Sequence, residues 1–416
     1  MLEKTVRSLR VLYAAGPGNV LGTYRQWLNS QDDTSQVSVT YSSQFYNACR
    51  SLNAQGYVVA YPAEATVYED EQFKIEHRPQ ATQGKSGIAY HLSYLWYGVR
   101  LVASALRWKA DVVVVADGTT HWFVLRALPL LGVKIIPTIH CVLWSKYQPQ
   151  TKLEKQITQL NRHLFAHSHQ IMVASEDIAE QIKQITPNSP KLAEFLPLYR
   201  RSEFQEIAPP SIDRSPFNVL FVGRVEVDKG VFDLLEIAKR FAAEGRQDIH
   251  FHLCGVGTAL EALQQAVAEA GLSETFICHG YCLKPQMQTQ FSQSHVVIAP
   301  TTTQFIEGFC QVVAEGVLAG RPVVTSSVCP ALAYVRPAAV EVQPDDVQGY
   351  GDALLKLCDD RAFYETKQQG CLEVQEQFYD WTRSWEATLK SALIAAHPMQ
   401  PASNAVIPDS PASAQQ

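Results

Sequence analysis

Residues 305–324 read FIEGFCQVVAEGVLAGRPVV. Two carboxylates, Glu307 and Glu315, stand with seven residues between them, and Gly308, Phe309, Cys310 and Gln311 follow the first of them directly. Val312, Val313, Val317 and Leu318 recur at helical spacing. The pattern predicts a helix from Phe309 to Gly320, with Pro322 just beyond its end. The β-branched run 323–325 then reads as a buried strand. A glycine before a helix lets a ligand come close, and the first free amides of the helix favour an anion there. Either glutamate alone could simply be solvated or satisfy the helix dipole. The glycine start, the AGRPVV exit and a preceding strand ending at Pro300 argue together for a site.

This stretch resembles the E-x7-E signature of the retaining glycosyltransferases of family 4, which have the GT-B fold. Their pattern runs E-G-F-G, an apolar pair, E-A and G-x-P-V-V. Here Cys310 stands for the second glycine and Gly316 for the alanine. The resemblance implies that Glu307 contacts the donor sugar near the reacting centre and that Glu315 accepts from the ribose hydroxyls. It also implies that the amides of Phe309, Cys310 and Gln311 hold the distal phosphate. Cys310 is small and keeps its amide, so the departure is expected to be tolerated.

Composition sets the outer bounds. The chain has 416 residues, enough for two or three domains, with 46% hydrophobic and 18% charged residues. That describes a globular chain with a large core. A net charge of −6 gives no support for nucleic-acid binding. Nine scattered cysteines fit reduced thiols in a cytosolic compartment. Cys278 and Cys282 bracket His279 without a second ligand pair, which argues against zinc. The first residues, MLEKTVRSLR, lack a signal-peptide core, and no run reaches the roughly 18 apolar residues of a membrane span. The expected location is cytoplasmic, with room for peripheral contact at the inner face of a membrane.

Taken in order, the chain alternates strands and helices, which implies parallel, doubly covered sheets. Strands are read at 10–16, 57–61, 111–116, 134–139 and 171–174, with helices at 41–52, 88–106, 122–131 and 151–166. Gly16 and Gly18 close the first strand. Residues 19–40 read as an insertion that delays the next helix and faces the cleft on the acceptor side, with Tyr24, Arg25 and Trp27 suited to a sugar or lipid head group. A packed surface loop is the plainer reading. A second series of strands falls at 218–224, 249–254, 275–278, 295–299 and 323–325. The expected organisation is an N-terminal Rossmann-like domain over 1–204, a linker over 205–216 and a C-terminal Rossmann-like domain over 217–380. A helix over 381–396 then returns to the first domain, and a disordered tail covers 397–416.

Further motifs fit the same resemblance. Gly223-Arg224 closes a strand, and Lys229-Gly230 follows, matching the family's G-R and K-G pair. Two cations suit a diphosphate leaving group, whose charge grows as the sugar bond breaks. Gly255 and Gly257 form a Gly-x-Gly turn that approaches the nucleotide in the family, and Gly280 lies where family members meet the base. His140, ending PTIH, matches a family histidine that helps orient the donor sugar. The resemblance thus implies Glu307, His140, Arg224 and Lys229 as the catalytic set. It implies no metal and no cofactor, a nucleotide-diphospho-sugar donor as substrate, and a hydroxyl acceptor that the sequence hides. No Asp-x-Asp motif offers a metal site. The alternatives are a nucleotide-sugar 2-epimerase of the same fold and a non-catalytic partner subunit that binds nucleotide-sugar.

Overall fold

The computed structural model describes residues 7–80, 85–187, 191–208 and 215–397. Near-continuous apolar runs such as VVVVA at 112–116 cannot alternate between core and solvent. They become central strands covered on both faces, and this one is buried along its whole length. Eight strands make the first sheet: β1 (Arg10–Gly16), β2 (Gln55–Ala60), β3 (Thr66–Glu69), β4 (Phe73–His77), β5 (Val112–Ala116), β6 (Lys134–Ile139), β7 (Ile171–Val173) and β8 (Leu192–Glu194). Their order is β3-β4-β2-β1-β5-β6-β7-β8. All pairs are parallel except the β3–β4 hairpin, which the sequence reading missed because its edge strand β3 is largely exposed and polar.

The second sheet holds β9 (Phe217–Val222), β10 (Ile249–Cys254), β11 (Phe276–Gly280), β12 (Val296–Ala299), β13 (Val323–Ser326) and β14 (Ala339–Val342). Its order is β11-β10-β9-β12-β13-β14, with every pair parallel. In each sheet the order reverses beside its first strand, between β1 and β5 and between β9 and β12. Ligands of such sheets bind outside the carboxyl ends of the strands at that reversal. The loops there carry Gly16 to Gly18 and Asp117 in one half, and Gly223-Arg224 and Thr301 in the other.

The helix Trp385–Ala396 packs back on the first half. Its Leu389 and Leu393 are fully buried in that half's core, and the Trp385 indole donates to Thr138 Oγ1 at 2.8 Å. Ser384 caps it. The proposed linker lies partly outside the described residues, at 209–214, and so does the proposed tail beyond His397.

The reading of 19–40 is corrected. A helix, Val20–Leu28, follows the glycine loop at once, capped by the Asn19 side chain, which accepts from the Gly22 amide. Its interrupted pattern hid it, because Gly22 and Thr23 are poor helix formers. Tyr24 is not free for a ligand: it is buried against Trp27, Tyr46 and Phe73. Trp27 is stacked under the Arg50 guanidinium, 3.7 Å from its ring centroid, and donates to Asn47. Arg25 remains exposed. The rest of the segment reaches the second half. Tyr281 Oη of that half donates to Ser35 O at 3.3 Å, while Val39 N donates to Leu198 O and Arg200 Nη2 to Asp32 at 2.8 Å at the end of the first half.

Candidate active site

β9 and β12 are neighbours, so the loops after them converge. The first brings Lys229, held at the end of a single 3-10 turn by Gly230. Gly230 has φ +75°, and a Cβ there would stand 2.2 Å from the Pro300 carbonyl oxygen. The glycine is therefore what lets the two loops touch. Across that contact Lys229 Nζ lies 2.5 Å from Glu307 Oε2. Thr301 Oγ1 donates to the same oxygen at 3.2 Å, and the Gly308 amide to Oε1 at 3.1 Å. Burial works against the Lys229 charge, but the attraction of Glu307 holds its pKa above the ordinary lysine value. Lys229 also sits 3.9 Å from the centroid of Phe305, and Arg224 5.3 Å from it.

The helix after Glu307 runs Gln311–Leu318, starting two residues later than its periodicity predicts. Cys310 is the cause: its φ of +67° is left-handed, a conformation that costs an L-residue about 1–2 kcal/mol. That conformation is the physical reason a glycine suits this position. The amides of Phe309, Cys310 and Gln311 have no acceptor among the described residues and stand around the mouth of the helix.

Two cavities meet here. One, of about 380 Å³, is lined by Lys229, Thr301, Glu307 and 308–312, together with Arg224. The other, of about 260 Å³, is lined by Gly255, Val256, Tyr281 and Glu315, again with Arg224. Gly223 and the exposed Arg224 belong to both, so the guanidinium stands at their junction. Arg224 makes no ion pair among the described residues. Gly257 does not line either cavity but permits the loop. A Cβ there would lie 2.2 Å from Val225 O, and one at Gly255 would lie 1.8 Å from Gly223 O. Gly280 ends β11 at φ +72° and accepts the Gly255 amide through its carbonyl.

Glu315 is buried in the second cavity, where Tyr199 Oη donates to it at 3.4 Å. Burial pushes its pKa up to about 7, against the opposing hydrogen bond from Tyr199. Ser35, Gln36 and Val37 of the first half line the same cavity, which corrects the expectation that the 19–40 segment serves only the acceptor side.

His140 is placed differently from Glu307 and Lys229. Its ring packs on Tyr41 and Phe195 at 4.5 and 5.3 Å between centroids, and its Nε2 meets Thr138 Oγ1 at 3.2 Å. Burial lowers its pKa, although Asp117 pulls the other way. It is the main chain here that reaches the cleft. Val142 N donates to Glu307 O, and a Cβ at Gly308 would lie 2.7 Å from His140 O. Asp117 fixes this turn by accepting from the amides of His140 and Cys141 at 3.1 and 2.8 Å. Gly16 ends β1 with Gly18 just after it, and neither lines either cavity. Gly18 has open space on its Cβ side.

Thr301, Tyr199 and Asp117 escaped the sequence reading. Thr301 and Asp117 carried a signal, their places directly after the strand-ending Pro300 and the strand 111–116, whereas Tyr199 carried none. Among the described residues Glu307, Cys310 and Cys329 bring three ligand-type atoms within 4.8 Å of one another. The Glu307 carboxylate in that group is already taken by Lys229 and Thr301.

Comparison with known proteins places the chain in a family. Residues 39–195 match the profile described as "Glycosyl transferase 4-like domain", and residues 216–360 match "Glycosyl transferases group 1". The 2-deoxystreptamine glucosyltransferase of Streptomyces kanamyceticus is 24% identical over 276 residues, 62% of this chain and 70% of the relative. The α,α-trehalose 6-phosphate synthase of Burkholderia multivorans superposes with a TM-score of 0.73 at 14% identity, over 94% of this chain and 99% of that one. Anabaena HepE, solved with UDP and glucose, gives 0.60 at 12% identity over 92% and 98%. The likeness to the two structures is one of fold. With both halves matched in order and joined across one cleft, the chain belongs to the group 1, family 4-like glycosyltransferases and has their GT-B fold.

Proposed function

We propose that the chain transfers a sugar, with retention, from a nucleotide-diphospho-sugar to a hydroxyl acceptor, and does so without a metal. The products fit the making of a cell-surface polysaccharide, glycolipid or glycoside. The observation that carries this is Arg224 at the junction of two cavities. A nucleoside fits the cavity with Glu315, and a sugar fits the one with Glu307. A diphosphate between them crosses the guanidinium, with Lys229 and the free amides of 309–311 on the sugar side.

The acceptor oxygen attacks the anomeric carbon on the face that the diphosphate leaves. The bond from that carbon to the phosphate oxygen breaks, and the acceptor proton passes to the departing phosphate. Arg224 and Lys229 stabilise the charge that grows there. Glu307 is fixed by three donors and orients both Lys229 and the sugar. His140, whose turn abuts Gly308, supports that orientation. A scaffold would not need this arrangement around a leaving group, and the E-G-F and G-R…K-G patterns argue against a 2-epimerase. Incubating the pure protein with a panel of nucleotide-sugars is expected to show slow donor hydrolysis. Absence of turnover with every donor, alongside measurable nucleotide binding, would favour the scaffold.

Two cations in place make a metal redundant. Transfer is therefore expected to survive excess EDTA. Complete loss, restored by manganese, would refute the phosphate chemistry and turn attention to Glu307, Cys310 and Cys329.

Glu315 gives a pH signature. Its pKa of about 7 in the folded chain is above the ordinary carboxylate value. The folded state thus holds the proton more tightly, and stability falls as pH rises from about 4.5 to about 7. Ribose hydroxyls donate to the ionised carboxylate, so binding of nucleoside diphosphate expels the proton. Affinity is expected to rise with pH up to about 7 and then flatten, beyond the slope of the nucleotide's own phosphate. Glu315→Gln should lose that extra slope and bind more weakly, since each such bond is worth about 1.5–3 kcal/mol. Titration calorimetry across pH checks this. An identical slope and affinity in the folded variant would remove Glu315 from the nucleotide site.

A further inference from the structure

A groove of about 820 Å³ contains none of the active-site residues above. It lies along the helix Gly87–Arg107 on the first half. One face of that helix is sunk in the core through Tyr97, Leu101 and Ala105. The opposite face carries Ile88, Leu92, Trp96 and Val99, which are 80%, 60%, 63% and 48% exposed. Their spacing of four, four and three puts them in one stripe. Leu106 in its last turn and Leu131 beyond its end, both exposed, continue the apolar surface beside Lys109.

The charge around this stripe runs against that of the chain. The net charge is −6, yet the helix GIAYHLSYLWYGVRLVASALR holds two arginines and no acid. Arg100 and Arg107 are exposed, line the groove and make no ion pair among the described residues. Lys74 lies on the same groove, at 3.4 Å from Glu69 on the edge strand. The acid of the groove, Glu76, is held by Arg78 at 2.7 Å. Trp96 and Trp108 also line it. Apolar side chains in one row, tryptophan beside them and unpaired guanidinium groups on long stems describe a helix suited to lie in a membrane interface, where the apolar row enters the acyl boundary and the arginines reach phosphate.

We propose that this face docks on an anionic bilayer, with the groove taking lipid phosphate. No helix among the described residues is long and apolar enough to cross a membrane, so the contact is peripheral. A protein partner or a second copy would match the apolar row equally well. The acid-free helix and its two guanidinium groups, neither in an ion pair among the described residues although Arg100 also acts on Glu76, select the anionic surface. The proposal stands apart from the donor chemistry.

The experiment is flotation of the full chain with vesicles of phosphatidylcholine alone and of phosphatidylcholine mixed with phosphatidylglycerol. Binding is expected only to the anionic vesicles and should weaken with added salt. At about 1 kcal/mol per basic residue, Arg100→Ala with Arg107→Ala should weaken partitioning on the order of thirtyfold. Leu92→Ser with Trp96→Ser should also weaken it, through the lost apolar insertion. All four positions are exposed, so unchanged thermal melts are expected and serve as the folding control. Equal binding to both vesicle types, or to neither, would overturn the proposal. So would a dimer by light scattering that Leu92→Ser with Trp96→Ser dissolves while no vesicle is bound.

Discussion

Arg224→Ala is expected to lower kcat at saturating donor by on the order of 10²–10³, the loss that follows removal of one preorganised donor to a growing anion. Its guanidinium is exposed and free of ion pairs among the described residues, so its thermal melt should stay at the wild-type value. Lys229→Ala should lose at least as much turnover, and it should also melt earlier. The reason is the buried pair: Lys229 holds Glu307, and removing one partner strands the other, at a cost of roughly 3–5 kcal/mol. Adding Glu307→Gln to Lys229→Ala should recover much of the stability and none of the turnover. Combining Arg224→Ala with Lys229→Ala should fall short of additive, because both groups act on one diphosphate. Steady-state kinetics at saturating donor check the set. Wild-type kcat in both single variants, with KM alone raised, would reduce the pair to a plain anchor.

Gly255→Ala is expected to disrupt the nucleotide side of the second half. The residue sits at φ +150°, where only glycine is comfortable, and a Cβ would lie 1.8 Å from the Gly223 carbonyl oxygen. Backbone on both sides of that clash belongs to β-ladder ends, so neither can simply turn away. A loss of roughly 3–5 kcal/mol places it among the severe single substitutions. The second half should then melt roughly 8–16 °C earlier. Gly271→Ala is the control. It shares a left-handed φ, +69°, but has nothing within 4 Å of its Cβ, so it should cost only about 1–2 kcal/mol. Equal melts for the two variants would show that the Gly223 contact yields easily and that strain alone matters.

How far the sequence could be read depended on whether the deciding interaction is local. The helix at 88–106 was legible because its apolar face repeats over twenty-one residues, and the capped helix Lys152–Ala166 because Thr151 and Glu154 form a capping box. The helix Val20–Leu28 was not, since it is short and interrupted, and its order comes from Tyr24 and Trp27 packing on Tyr46 and Phe73 from other elements. Strands β3, β8 and β14 were missed for a similar reason. Each has three or four residues and takes its strand character from a neighbour it pairs with.

The sequence by itself determined the alternating α/β plan, the division into two series of strands and the motif residues Glu307, Glu315, Arg224 and Lys229. The plan follows from periodicity and from glycine and proline punctuation, and the motif residues from the resemblance of their local pattern to the family 4 signatures, all properties of nearby residues. Only the tertiary structure decided that Lys229 grips Glu307 across seventy-eight positions of chain. It also decided that Arg224 stands between two cavities, that burial raises the Glu315 pKa to about 7 against the hydrogen bond from Tyr199, and that Ser35 to Val37 reach the second half. Each of these depends on which strands lie side by side and how far the two sheets approach. A through-space distance of a few ångströms leaves no trace in the order of residues, whereas a turn or a helix face does.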